Sequence, residues 1–259
     1  MTVTLGFDIE EFDFPLERGR SIDLETQLDV SSEGLEFLLR LLERLELKAT
    51  FYTTANFALH RPELLRRIAG AGHEVASHDF RHAPGAESDP AAARRTLEEL
   101  AGRTVVGYRA PRLAAASSEE LAAAGYRYNS SINPTWIPGR YNHLFAPRGV
   151  TRESGLAIYP TSVAWPLRIP LFWIALHVMP LPLYEWLART ALRRDGHLNL
   201  YFHPWEFSDR LGDPAFGVPG YLTRCSGSRL QRKFERLLRH LEASGCRFTT
   251  TRDYLGFDD

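Results

Sequence analysis

The sequence predicts an α/β fold built as one closed or nearly closed β/α barrel. Three observations carry this. Short β-type runs alternate with helix-type runs along the chain, which implies parallel pairing through right-handed crossovers. No break in composition divides the 259 residues, so they read as a single domain, 1–259. Residues suited to chemistry fall at the ends of predicted strands, where such barrels place their active sites. A doubly wound open sheet is the alternative, but the Gly-rich turn that a dinucleotide fold needs after its first strand is absent.

The elements follow in order. Val3–Asp8 reads as a strand, and Ser31–Glu46 as a helix with Leu35, Leu38, Leu39, Leu42 and Leu45 at helical spacing and Ser31 or Ser32 as its N-cap. Ala49–Thr53 is a second strand. Pro62–Ala71 is a helix that starts on Pro and stops at Gly72. Glu74–Ser77 is a third strand, Pro90–Ala101 a helix, and Thr104–Tyr108 a fourth strand. Ser118–Ala124 is a helix closed by Gly125, and Tyr126–Ser130 a fifth strand. His197–Phe202, the long helix Ser228–Ser244 and a last strand, Arg247–Thr250, complete the pattern. One stretch departs from it. Residues 156–187 are rich in Pro, Trp and aliphatics, and Pro160, Pro166, Pro170, Pro180 and Pro182 cut them into pieces too short to span a bilayer. This is an apolar insertion. It either packs on the barrel or at a homodimer interface, or forms a lip that touches a membrane surface or a lipid-linked substrate.

Composition narrows the function. The chain is 44% hydrophobic and 24% charged, enough apolar residue for a sizeable core. Its net charge of −1 gives no basic field for nucleic acid. Cys225 and Cys246 are the only cysteines, too few for a Cys-based zinc site. The first residues run straight into a strand without the charged and apolar regions of a secretion signal, so a cytoplasmic protein is expected, peripheral to the inner face of the membrane if the apolar lip docks there.

The chemistry starts with His78 and His82. On one helical turn, imidazoles four residues apart project to the same side, where one divalent metal reaches both. A carboxylate from elsewhere would complete a three-ligand site with room for water. Asp8 and Glu10 end the first strand, and their spacing of two puts both on one face, with Glu11 pointing away. Arg109 and Pro111 follow the fourth strand, Asn129 lies in the fifth, and His203 follows the strand His197–Phe202. His60, His73, His143, His177, His197 and His240 fit no ligand pattern and read as structural.

Five motifs in order resemble those of the polysaccharide deacetylases, carbohydrate esterases that share the NodB homology domain. They are Phe7-Asp8-Ile9-Glu10-Glu11, Ser77-His78-Asp79-Phe80-Arg81-His82, Tyr108-Arg109-Ala110-Pro111-Arg112, Gly125-Tyr126-Arg127-Tyr128-Asn129-Ser130-Ser131 and Tyr201-Phe202-His203-Pro204-Trp205-Glu206-Phe207. The resemblance implies a distorted (β/α)7 TIM-like barrel and metal-assisted hydrolysis of an N-acyl group on an amino sugar. It implies Asp8 as general base, kept ionised by Arg109, His78 and His82 as metal ligands, and His203 as the acid that protonates the leaving amine. A backbone N–H near Arg112 would help hold the oxyanion. The chain departs from the family where Ile9 replaces the usual second Asp. Glu10 is then favoured as third ligand by strand parity, with Asp13 in reserve. It departs again where Asn129 replaces an Asp that would hydrogen-bond the acid His; an Asn can still orient His203. Trp136, Tyr141, Trp205 and Glu206 are candidates for a sugar groove.

Zinc is the default metal for two imidazoles and a carboxylate, with cobalt, nickel or iron as substitutes. The expected substrate is an N-acetylated or N-formylated amino sugar in a glycan or glycan precursor. Two rival readings remain: deformylation or deacetylation of a lipid-linked amino sugar at the membrane surface, and a decayed site that binds glycan without cutting it.

Overall fold

The computed structural model describes residues 1–83 and 85–257. The first strand, β1 (Thr2–Ile9), is buried from Val3 onward on both faces. Val3, Leu5, Phe7 and Ile9 join the hydrophobic core, while Thr4 and Asp8 bond partners inside the curl of the sheet. The period of two therefore gives this strand one greasy and one polar face, although both are covered.

In chain order β1 is followed by α1 (Leu24–Arg44), β2 (Thr50–Thr53), α2 (Ala55–His60), α3 (Pro62–Gly70), β3 (Glu74–Ser77), α4 (Pro90–Ala101), β4 (Gly107–Tyr108), α5 (Ser118–Ala123) and β5 (Tyr128–Asn129). Six short strands come next: β6 (Trp136–Ile137), β7 (Tyr141–Asn142), β8 (Thr151–Glu153), β9 (Leu156–Ile158), β10 (Val163–Ala164) and β11 (Ile169–Pro170). The chain ends with α6 (Trp173–Val178), α7 (Leu181–Asp195), β12 (His197–Phe202), α8 (Gly220–Thr223), α9 (Gly227–Ala243), β13 (Arg247–Thr249) and α10 (Thr251–Tyr254).

The main sheet runs β12-β1-β2-β3-β4-β5-β9-β8, with β13 also on β1. Every pairing in it is parallel except β8 with β9. This order has no reversal at which a doubly wound sheet would switch direction, which excludes the alternative architecture. The fold is a mixed α/β domain whose parallel sheet curls into a distorted barrel. Between β9 and β12 the curl lacks a regular ladder and is bridged by single contacts. Ser162 N donates to the Asn199 carbonyl at 2.9 Å, Asn199 N to Ser162 Oγ at 2.8 Å, and Asn199 Nδ2 to the Pro160 carbonyl at 3.1 Å.

Three local expectations are corrected. Helix α1 begins at Leu24, not near Ser31, because Asp23 accepts the Thr26 N–H as its N-cap. Ser31 is instead buried inside α1 and donates its hydroxyl to the Glu10 carbonyl at 2.6 Å. The fourth and fifth strands shrink to Gly107–Tyr108 and Tyr128–Asn129. Finally, residues 78–82 are not helical. Asp79 has φ 62°, and its carboxylate accepts from Phe80 N at 2.7 Å, Asp89 N at 2.9 Å and Tyr108 Oη at 2.8 Å, so the segment leaves β3 as a pinned loop. The Pro- and Trp-rich stretch forms β9 to β11, α6 and the start of α7, with Leu171, Leu176, Tyr184 and Leu187 in the core. Among the described residues no helix is long and apolar enough to cross a membrane.

Candidate active site

At the C-terminal ends of the strands, β1, the loop after β3 and the turn after β12 converge on one cavity of about 650 Å³. Its floor is set by β1. Asp8 and Glu10 both line it, while Glu11 points elsewhere and accepts from Thr54 Oγ1 at 3.0 Å and from the Asn56 side chain.

Glu10 Oε2 lies 3.2 Å from His78 Nε2 and 3.1 Å from His82 Nε2. One donor atom from each of the three residues falls within 4.8 Å of the others, and all three side chains are buried. The imidazoles stand nearly parallel, at 15° with centroids 5.6 Å apart. Each is oriented from behind: His78 Nδ1 donates to the Arg109 carbonyl at 2.9 Å, and His82 Nδ1 to Asp13 Oδ1 at 3.0 Å. Those bonds fix the tautomer that leaves both Nε2 lone pairs facing the Glu10 carboxylate. Lone pairs aimed at a carboxylate in a dry site repel unless a proton or cation lies among them. The donor set therefore fits a divalent cation. Burial alone would push the Glu10 carboxyl up, but His82, His203 and His78 pull it well below the usual range. Burial would push His82 down, and Glu10 and Asp13 raise it instead. Asp13, the reserve ligand, sits behind His82 and is itself held by Arg112 Nη2 at 2.8 Å.

Asp8 is matched by a fully buried cation. Arg109 Nη1 donates to Asp8 Oδ1 at 2.7 Å. The guanidinium is fixed by Nε to the Ser130 carbonyl and Nη2 to Ser130 Oγ, each at 3.0 Å, and lies 3.9 Å from the centre of the Tyr52 ring. Across the cavity stands His203, whose ring stacks on Trp205 at 4.8 Å and meets Trp173 edge-on at 5.2 Å. Trp205 Nε1 in turn donates to Glu10 Oε1 at 3.0 Å. Burial would lower His203, but Glu10 and Glu206 push it up to about 9.

Several sequence expectations need correction. Asn129 does not orient His203: its Oδ1 accepts from Ser131 N at 3.1 Å and from the Ser131 hydroxyl, because the side chain turns back along its own segment. The partner of His203 Nδ1 is Glu206 Oε1 at 3.0 Å. Glu206 is thus not a groove residue; it is wholly buried behind the His. Trp136 is 57% exposed on the β6–β7 hairpin and is not among the residues lining the cavity, whereas Tyr141 and Trp205 are. The Arg112 side chain bridges Asp13 and Glu17, at 2.8 and 2.7 Å, and its backbone sits at φ 56°. Sequence reasoning missed Tyr201, Phe172 and Trp173, which line the cavity, and His177 behind it. Tyr201 had a signal, since it precedes His203 by two on an extended strand. The other three lie in the stretch set aside as an insertion.

Known proteins share part of this sequence and its fold. The polysaccharide deacetylase family model matches residues 28–129, a window holding His78, His82 and Arg109 but not Asp8, Glu10 or His203. A 51-residue stretch is 35% identical to the uncharacterized protein YlxY of Bacillus subtilis, covering 20% of this chain and 16% of that protein. A 119-residue stretch is 27% identical to a peptidoglycan deacetylase of Helicobacter pylori, covering 42% of this chain and 41% of that one. The matches thus span less than half the length of either relative. The crystal structure of a putative polysaccharide deacetylase from Mycobacterium smegmatis superposes with a TM-score of 0.66 at 21% identity, over 98% of this chain and 88% of that one. A Puue allantoinase gives 0.61 at 16% identity, over 97% and 88%. A CE4 family pseudoenzyme from Bacillus anthracis gives 0.53 at 12%, over 99% and 66%. The chain therefore carries the polysaccharide deacetylase sequence pattern in residues 28–129 and that family's fold across its described length.

Proposed function

We propose that the protein is a metal-dependent hydrolase that removes an N-acetyl group from an amino sugar of a glycan or glycan precursor. The observation that carries this reading is the convergence of Glu10, His78 and His82 on one point, with Asp8 and His203 lining the same cavity. A zinc ion held by Glu10 Oε2 and the two Nε2 atoms would supply Lewis-acid polarisation of the acyl oxygen and a more acidic water.

The chain's own residues do the rest. Asp8 takes a proton from the attacking water, and the Arg109 guanidinium holds that carboxylate in one orientation. The water oxygen adds to the acyl carbon. The C–N bond then breaks as His203 Nε2 gives its proton to the leaving nitrogen, so acetate and a free amine result. Glu10 and Glu206 raise His203, the direction that suits a proton donor, and a cation beside Glu10 would lessen that rise. Trp205, Tyr141, Tyr201, Phe172 and Trp173 line the cavity and give it a largely aromatic wall suited to a sugar ring.

The test reconstitutes the protein with zinc and measures metal content and acetate release together, on N-acetylated oligosaccharides, a peptidoglycan fragment and a lipid-linked amino sugar. Wild type binds one equivalent and releases acetate from one class. His78→Ala loses metal and turnover; His203→Ala keeps metal and loses turnover. Metal without turnover on every substrate would favour a glycan-binding module, and turnover surviving in His78→Ala would overturn the role of the trio.

A further inference from the structure

Behind the cavity a second imidazole faces the carboxylate that holds His203. His177 Nε2 lies 2.8 Å from Glu206 Oε2, and His177 Nδ1 lies 3.0 Å from the Leu222 carbonyl. Both side chains are fully buried. Glu206 Oε1 accepts from the backbone N–H of His203 at 2.5 Å and from His203 Nδ1 at 3.0 Å. Each atom of this chain of bonds is thereby spoken for.

The proton count is informative. The Leu222 carbonyl only accepts, so His177 Nδ1 carries hydrogen. A neutral ring would then present a lone pair from Nε2 to a carboxylate oxygen 2.8 Å away, which is repulsive in a site without water. A hydrogen therefore lies between His177 Nε2 and Glu206 Oε2. That proton, and the Leu222 carbonyl, fix the carboxylate plane so that Oε1 always meets His203 Nδ1. His203 Nε2 is left pointing into the cavity.

We infer that His177 is a positioning residue for the proton donor: through Glu206 it sets the tautomer and orientation of His203. This rests on the proposed role of His203 in the hydrolysis. It also gives a function to helix α6, which supplies Trp173 in edge-on contact with the His203 ring and His177 behind it one turn later. The groups facing His203 are Glu206 on its own turn, Asp8 from β1 and Glu10 just after it, and the rings of Trp173, Tyr201 and Trp205.

Two measurements on the full zinc-loaded chain test it. The first is ¹⁵N–¹H correlation spectroscopy of the wild-type imidazoles near pH 7.5. The expected spectrum has hydrogen on Nδ1 of both His177 and His203, with the His177 Nε2 resonance shifted by a strong hydrogen bond. A His177 ring with a bare Nδ1 would overturn the inference whatever the activity. The second compares His177→Phe with His177→Gln, whose amide can still donate to Glu206. The Phe variant should lose roughly tenfold to a hundredfold in kcat with KM changed less than twofold and zinc content unchanged; the Gln variant should recover most of that loss. Equal kcat in wild type and His177→Phe would overturn it, as would equal losses in both variants. If no substrate is turned over by wild type, the hydrolase reading fails while the spectrum still decides the hydrogen-bond chain.

Discussion

At the scale of single residues the site is a set of charges that tolerate burial because each has a partner. Arg109 is the extreme case, with no exposure and an ion pair to Asp8. Arg109→Met should leave the Asp8 carboxylate buried alone, costing about 3–5 kcal/mol by urea unfolding and abolishing turnover. The double variant Asp8→Asn/Arg109→Met should regain most of the stability and none of the activity, since it removes both charges but also the base. Equal stability of the single and double variants would contradict this account. Asp13 gives a gentler probe. It aims His82 without touching the cation position, so Asp13→Ala should weaken zinc affinity about 10–100-fold in a chelator competition and leave the fold intact. Residue parity made part of this legible in advance. The spacing of Asp8, Glu10 and Glu11 on an extended strand decides which carboxylates share a face. The Glu206–His177 bond was not legible, because 29 residues separate the partners and no local period links them.

Among the elements, those with strong local signals stand close to where their sequence places them. His197–Phe202 matches its strand, and Gly227–Ala243 is displaced by one residue at each end from the expected helix. The short elements near the site do not, because tertiary contacts override spacing there. His78 and His82 reach one point from a loop pinned by Asp79, although four-residue spacing suggests a helix. Helix α1 shows another such contact. Gly34 lies in its middle, where glycine is poor for helices, and a Cβ there would overlap the carbonyl of Pro204. The helix and the turn that carries His203, Trp205 and Glu206 therefore touch backbone to backbone. Gly34→Ala gains helix propensity yet should destabilise by about 1–3 kcal/mol and move that turn. The expected readout is a fall in turnover of at least about tenfold with zinc still bound; unchanged stability and turnover would show that the turn can yield without consequence.

For the whole molecule, alternation of strand and helix was sufficient to predict a parallel barrel, and the observed order β12-β1-β2-β3-β4-β5-β9 follows from it. The seam was hidden, since Ser162 and Asn199 close it by side-chain and isolated backbone bonds that leave no hydrophobic period. The apolar stretch was hidden for a related reason: its hydrophobicity serves both the core and the cavity wall. Global stability depends on buried groups far from the site as well. His73 is the clearest, with Nδ1 buried without a hydrogen-bond partner among the described residues and the ring 5.2 Å from that of Phe51. Burial, aided by Lys48, lowers it to about 4. An unfolded chain protonates the same ring near pH 6.5. Between these values the unfolded state binds more protons, so stability is full above about pH 6.5 and falls as pH drops toward about 4. His73→Phe keeps the ring packing and removes that proton. Urea unfolding of the metal-free protein at pH 7 and pH 4.5 should show wild type losing on the order of 2 kcal/mol more than the variant over this interval. Parallel losses in the two proteins would mean that the acid sensitivity of the fold lies elsewhere, with His197, which burial also lowers, the next residue to replace.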